Sequence, residues 1–258
     1  MIAVICAMES EAGHRRRQLD ATHEAPLSRW RRTRGRLGDA PVDLIVSGIG
    51  LVNAAAATAT LCLLARPRAV LNYGCAGAHP DDLGPGDVVL GERVVHVSSQ
   101  IVLPTGERKH MGFDFHVDDV RTQTDAIAAD PGLLELARRA AESCALPPWP
   151  REPESPRVLV GPVASADIWT QHGESIRTRH DLHGSLCEEM EAAAIAQVAA
   201  IHGVPFLAVK DISNDELRRA TRATARAWPS LDDLAPELGR RAALVVAAIV
   251  RALIPTRR

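Results

Sequence analysis

At 258 residues with a formal charge of −2, the chain is long enough for one large domain spanning 1–258 and too balanced to hold nucleic acid by charge alone. Its five cysteines carry no Cys-x-x-Cys spacing, which argues against a zinc ribbon or a disulfide framework and fits reduced thiols. No basic leader precedes the short apolar run at the N-terminus, and no stretch nears the roughly 18 apolar residues that span a bilayer, so a cytoplasmic chain with neither membrane nor nucleic acid as partner is expected.

Residues 1–7 read as a buried strand running into Met8-Glu9-Ser10-Glu11, which sets carboxylates at the carboxyl end of a first strand, where open α/β sheets keep their ligands. The basic runs Arg15-Arg16-Arg17 and Arg31-Arg32 read as solvated faces. Residues 42–46 form a strand ending in Ser47-Gly48-Ile49-Gly50, and residues 51–65, rich in Ala, Leu and Thr without a breaker, form a helix. The next strand, 69–73, ends in Gly74-Cys75-Ala76-Gly77-Ala78, and two turns of small residues at strand ends predict a shared cleft. After the turn at Gly84-Pro85-Gly86 a strand covers 88–96.

From about 98 to 124 the chain turns polar and loses its period, a length of loop that is functional or disordered in a compact domain. Asp130 caps a helix with Pro131 at its first position that runs to about 144, and 147–156 is a proline-rich surface linker. Strands resume at 158–160 and at 205–210, the latter ending in Asp211-Ile212-Ser213-Asn214, and 234–254 closes the chain as an amphipathic helix.

The most telling stretch is Cys187-Glu188-Glu189-Met190-Glu191, which opens a run of small apolar residues reaching Ala200. A helix dipole favours acid at that end. Yet Glu189, Met190 and Glu191, about 100° apart on a helix, point in three directions, so at least one carboxylate has to face inward or into a cleft. Ser47-Gly48-Ile49-Gly50 lacks the third glycine of a dinucleotide loop, with Asn53 in its place, and Gly74-Cys75-Ala76-Gly77 lacks the Lys-Ser/Thr of a phosphate loop. There is no Gly-x-Ser-x-Gly elbow, and the ten histidines show no helical pairing with carboxylates, His180 and His183 reading as loop or surface residues. No cofactor and no metal are expected. A carboxylate site remains.

Five ordered blocks carry a resemblance: Ala7-Met8-Glu9-Ser10-Glu11, Ser47-Gly48-Ile49-Gly50, Asn72-Tyr73-Gly74-Cys75-Ala76-Gly77, Glu189-Met190-Glu191-Ala192 and Val209-Lys210-Asp211-Ile212-Ser213-Asn214. Together they resemble the nucleoside phosphorylase/nucleosidase superfamily, and within it the 5′-methylthioadenosine/S-adenosylhomocysteine nucleosidases, over nearly the whole chain except about 97–160. The resemblance implies a three-layer α/β/α sandwich around a mixed, partly closed sheet, a purine nucleoside as substrate, and a homodimer in which each subunit helps wall the other's site. It implies Glu11 as the carboxylate that activates water, Met190 and Glu191 as the pair gripping the ribose, Glu189 as the preceding acid of the motif, and Trp169 as the aromatic stacked on the purine. Ile49, Cys75, Ala76, Gly77, Lys210 and Ser213 are implied as further substrate-binding positions, and Asn214 stands where the base is protonated or hydrogen-bonded at N7. Breaking an N-glycosidic bond passes through an oxocarbenium-like sugar, and carboxylates both stabilise that charge and take a proton from water.

The departures from the family pattern matter. Asn214 replaces an aspartate, and an amide cannot donate an acidic proton, although it can accept from N7-H and donate to O6. Either Asp211 or Asp215 supplies the acid by a local shift, or the base is a 6-oxopurine, as in the related futalosine hydrolases. Lys210 stands for a usual arginine and Cys75 for a usual serine. Glu11 and Asn72 occupy places where the superfamily's phosphorylases hold phosphate with arginines, which favours water over phosphate as acceptor and leaves a purine nucleoside phosphorylase as the lesser reading. A non-catalytic nucleoside-binding protein is the third, and the presence of Glu11 and Glu191 argues against it. If Arg108, Lys109 and His110 face the site, an acidic 5′ substituent is accommodated; otherwise they form a solvated loop.

Overall fold

The computed structural model of the chain describes residues 1–150, 154–215, 217 and 234–254. In chain order the elements are β1 (Ile2–Cys6), α1 (Glu9–Arg16), β2 (Asp20–Leu27), β3 (Trp30–Leu37), β4 (Ala40–Val46), α2 (Leu51–Ala65), β5 (Val70–Ala78) and β6 (Val88–His96). Four short strands follow, β7 (Gln100–Val102), β8 (Arg108–His110), β9 (Phe113–Val117) and β10 (Val120–Thr124), then β11 (Ile127–Ala128) and α3 (Pro131–Glu142). The last third holds β12 (Val158–Ser165), α4 (Gly173–His183), β13 (Cys187–Glu189), α5 (Ala192–Ile201), β14 (Phe206–Asn214) and α6 (Arg240–Leu253).

Ten strands make one mixed sheet. Its alternation sorts the core into two halves: Ile2, Val4 and Cys6 of β1 pack with Ala12 of α1, Leu133 and Ala137 of α3 and Val245 and Ile249 of α6, whereas Ala3 and Ile5 pack with Ala57 and Leu61 of α2 and Ile195 and Ala199 of α5. Three layers result, α1, α3 and α6 on one face and α2 and α5 on the other. The sheet is partly closed because β14 pairs with β5 in parallel and with β6 antiparallel, while β12 and β13 complete the ring from β6 back to β5. The expected mixed, partly closed α/β/α sandwich is therefore present.

Several elements differ from the sequence reading. The expected end of β5 at Gly74 is instead its middle: Cys75 and Ala76 pair with Asp211 and Ile212 of β14, and Gly77 and Ala78 pair with Glu188 and Cys187 of β13. Small residues there serve strand-to-strand closure rather than a turn. The long loop expected over 98–124 folds into two hairpins, β7 with β8 and β9 with β10, whose alternation is faint because Phe113 alone is fully buried. The unannounced β2–β3 hairpin widens the sheet edge beside β4. In it Arg32 and Arg34 each reach the buried Asp43 at 3.2 Å, and Arg15 is itself wholly buried with its Nη1 donating to Gln18 Oε1 at 2.7 Å, so neither basic run is simply solvated.

The proline-rich segment is held rather than free over its described residues. Arg241 at the start of α6 donates from Nε to the Pro147 carbonyl at 2.8 Å and from Nη2 to the Pro148 carbonyl at 2.7 Å, and its guanidinium lies 4.8 Å over the Trp149 ring. The same side chain meets Glu237 at 2.8 Å and stands 4.0 Å from the buried Asp211. Breaking a buried ionic cluster by removing one partner costs about 3–5 kcal/mol. Arg241→Ala is expected to lower the unfolding free energy measured in urea by that amount; a loss under about 1 kcal/mol contradicts this role.

Candidate active site

The site forms where β1, β4, β5, β13 and β14 end together. Glu11 lies in the first turns of α1, directly after β1, and is only 2% exposed. Its Oε2 accepts from the backbone N–H of Ala7 at 3.1 Å and Met8 at 3.0 Å, and its Oε1 accepts from Cys75 N–H at 2.8 Å. The Tyr73 hydroxyl donates to the main-chain oxygen of Glu11 at 2.8 Å, fixing the helix turn from below. Two glycines make room: a Cβ on Gly74 would stand 2.6 Å from Glu11 Oε1, and one on Gly239, at φ +71°, would stand 3.2 Å from the Glu11 stem. Burial pushes the Glu11 carboxyl above its ordinary range, against the opposing pull of the Cys75 N–H and the Lys210 ammonium.

Cys187–Glu189 is a strand, so the acidic motif straddles a strand end and a helix start. Glu189 turns back to cap α5, accepting from Glu191 N–H at 3.1 Å and Ala192 N–H at 3.0 Å. Its Oε2 also meets Lys210 Nζ at 2.7 Å, a pair almost without solvent. Burial works to lower the lysine, but Glu189, Glu191 and Glu11 outweigh it and raise its pKa. Glu191 sends its Oε1 across to accept from Gly50 N–H at 2.9 Å at the start of α2. Burial and the neighbouring Glu189 hold its carboxyl well above the usual range.

The other wall is the segment after β12. Asp167 Oδ1 accepts from Leu51 N–H at 2.7 Å, so α2, which has no acid in its own first turn, receives two carboxylates from elsewhere in the chain. Gly50 at φ +102° permits this, since a Cβ would stand 2.9 Å from Asp167 Oδ1. On β14 an irregularity between Ile212 and Asn214 lets both Ser213 and Asn214 reach the cleft. The Ser213 hydroxyl donates to Asn214 Oδ1 at 2.9 Å.

An open cleft of about 680 Å³ joins these groups. Of the positions expected from sequence, Glu11, Ile49, Cys75, Ala76, Gly77, Trp169, Glu189, Met190, Glu191, Ser213 and Asn214 all line it. Lys210 does not: it is 1% exposed behind Glu189 and orders the carboxylates instead of facing a ligand. Asn72 lies within the sheet, donating to the Ile5 carbonyl at 3.2 Å, away from the cleft. Asp211 and Asp215 are also outside the lining, Asp211 accepting from Arg241 N–H at 2.9 Å on the α6 side, so its acid, pushed up to about 8 by burial, is turned from the site. Sequence reasoning missed Glu188 and Ile168, which line the wall beside Trp169. Among the described residues no arginine or lysine lines the cleft, while four glutamates do.

The family model described as the phosphorylase superfamily matches residues 1–255. A 5′-methylthioadenosine/S-adenosylhomocysteine nucleosidase of Geobacillus sp. (strain WCH70) is 32% identical over 214 residues, which is 83% of this chain and 84% of the relative. The crystal structure of a 5′-methylthioadenosine/S-adenosylhomocysteine nucleosidase from Neisseria meningitidis, in complex with methylthio-immucillin-A, superposes with a TM-score of 0.76 at 28% identity over 97% of this chain and 98% of that one. The futalosine hydrolase of Helicobacter pylori shares the fold at a TM-score of 0.76 and 21% identity, over 96% of each chain.

A raised carboxyl makes stability depend on pH. Because the folded-state value of Glu191 exceeds its unfolded one, its contribution is complete below the ordinary glutamate range near 4.3 and is lost as pH rises through the folded-state value. Glu191→Gln keeps an acceptor for Gly50 N–H and does not titrate. Its Tm relative to the parent is expected to rise between about pH 5 and about pH 9 by at least about 2–4 °C, the shift about 1 kcal/mol makes in a chain of this size. A difference in Tm that is flat or falls with pH contradicts the crowding of carboxylates around Lys210.

Proposed function

We propose that this chain, which belongs to the phosphorylase superfamily, is a purine nucleosidase of the 5′-methylthioadenosine/S-adenosylhomocysteine nucleosidase type, cleaving the N-glycosidic bond with water. One observation carries the choice of water: Glu11 is buried in the cleft, fixed by three backbone N–H groups, and surrounded by further carboxylates with no cation lining the cleft among the described residues. A phosphate dianion is repelled there, whereas water needs a base and the developing sugar cation needs negative charge.

In this reading Trp169 stacks on the base, Met190 covers the apolar face of the ribose, and Glu191 accepts from the ribose hydroxyls. As the C1′–N9 bond breaks, its electron pair leaves with the purine, and the carboxylates of Glu11 and Glu191 steady the oxocarbenium-like sugar. Glu11 takes a proton from water while the hydroxide equivalent bonds C1′; the departing purine anion takes a proton from solvent, and Glu11 returns its own to solvent, so that one water is consumed per bond cleaved. Asn214, an amide, contributes hydrogen bonds to the base edge and no acid. The cleft mouth is incomplete: Ile49, Ile168 and Trp169 line it yet remain 49%, 42% and 49% exposed. Such apolar exposure at a binding site supports a second copy of the chain closing over it, as a homodimer.

Glu11→Gln keeps the shape and removes the base. Release of free purine from nucleosides, followed by absorbance or chromatography, is expected to slow about 10²–10⁴-fold with the fold unchanged. In the parent enzyme kcat/KM is expected to rise with pH through a value above the ordinary glutamate range, because burial raises the Glu11 carboxyl, and the variant is expected to lose that limb. Near-native turnover in Glu11→Gln overturns the assignment, and ligand binding by the parent protein without any base release favours a binding protein.

A further inference from the structure

β13, β5 and β14 lie side by side at the site, and their register sets Glu188 and Asn214 on either side of one residue, Gly77. Strands are spaced about 4.8 Å apart, so the two flanking backbones stand about 9–10 Å from each other across a position with no side chain. Both flanking residues line the cleft. Gly77 puts no side chain between them, and a Cβ there would stand 3.0 Å from Asn214 Nδ2, so the Asn214 amide lies over Gly77. Trp169 stands at the same end, since Glu188 Oε1 accepts from the N–H of its neighbour Thr170 at 2.7 Å.

Glu188 belongs to a buried network outside the ribose machinery. Its Oε2 accepts from Arg179 Nη1 and lies 3.4 Å from His79 Nε2, and His79 Nδ1 is 2.8 Å from Ser185 Oγ. Burial opposes its charge, but His79, Arg179 and the Thr170 N–H outweigh it and keep the carboxyl below its ordinary range. An ionised carboxylate only accepts, at about four positions, and the network fills three of them. One acceptor position is left on a residue that lines the cleft. On the other side the Ser213 hydroxyl donates to Asn214 Oδ1, and the amide nitrogen is the Asn214 atom nearest the place of a Cβ on Gly77, at 3.0 Å.

The order along the edge is then a donor beside N7 and position 6, and an acceptor beside N1. Adenine offers the opposite polarity, an amino donor at position 6 and a lone pair at N1, which a carboxylate repels. A 6-oxopurine offers O6 to the amide and N1–H to the carboxylate. We propose that Glu188 is a specificity-determining residue that, facing Asn214 across Gly77, selects 6-oxopurine nucleosides over adenine nucleosides. The inference rests on the reading of water-dependent purine nucleoside cleavage above, and within it replaces the adenine base of the 5′-methylthioadenosine type by a 6-oxopurine.

The test compares matched nucleosides that differ only at position 6, inosine with adenosine and the 5′-methylthio derivatives of each, as kcat/KM for the parent and for Glu188→Gln. The parent is expected to favour the hypoxanthine member of each pair by at least about tenfold. Glu188→Gln can donate to an unprotonated N1, and is expected to lose most of that ratio by gaining on adenine and falling on hypoxanthine. A parent enzyme that prefers adenine, or a variant that keeps the parent's ratio, overturns the proposal. Calorimetric binding of free hypoxanthine and free adenine to the parent protein is independent of turnover and of the variant's stability. Tighter adenine overturns the role of Glu188 even if no nucleoside is cleaved, whereas absence of cleavage with tighter hypoxanthine sinks the nucleosidase reading and leaves the base assignment standing.

Discussion

One buried ammonium governs the end of the sheet. Lys210 meets Glu189 at 2.7 Å with almost no water near either group, and it faces the fields of Glu191 and Glu11 as well. Removing a lysine or a carboxylate from water costs several kcal/mol each, so neither is tolerable there alone. Three carboxylates around one cation still leave excess negative charge, which adds to burial in raising the Glu191 carboxyl, while burial raises that of Glu11 against the pull of Cys75 N–H and Lys210. A site in that condition is short of positive charge, which an oxocarbenium-like sugar supplies at the moment of bond cleavage.

The backbone carries the rest of the load. Glu11 is held by three N–H groups, Glu189 by the first turn of α5, and Glu191 by the first turn of α2, so each carboxylate spends its lone pairs on rigid donors before any ligand arrives. Gly50, Gly74 and Gly239 let those donors and walls approach closely. Sheet closure is what gathers them, because β14 lies between β5 and β6 and brings Lys210, Ser213 and Asn214 to the ends of β1 and β5.

Much of this is legible along the chain because it is local. Glu11 follows its strand directly, Asp130 caps α3 through the Leu133 N–H at 2.8 Å as its position before Pro131 suggests, and the helix over 51–65 begins and ends where composition puts it. What is not legible depends on partners distant in sequence. Glu188 looks like one more acid of a helix cap until Thr170, Arg179 and His79 are brought to it. Lys210 resembles a ligand contact in its motif, and only the pairing with Glu189 turns it inward. The residues after Gly74 look like a turn because glycine and alanine are as useful for strands that close a ring as for loops. The hairpins over 98–124 present one polar face, so their period is too weak to separate from a loop.

The roles of Glu11 and of the cation-free cleft lining among the described residues both depend on water as the acceptor. The direct measurement is to follow the sugar product by mass spectrometry during cleavage of a purine nucleoside in buffers with and without saturating phosphate. Free reducing sugar is expected in equal amount with the base, at a rate indifferent to phosphate. Sugar 1-phosphate as the product, or base release that requires phosphate, would contradict water as the acceptor.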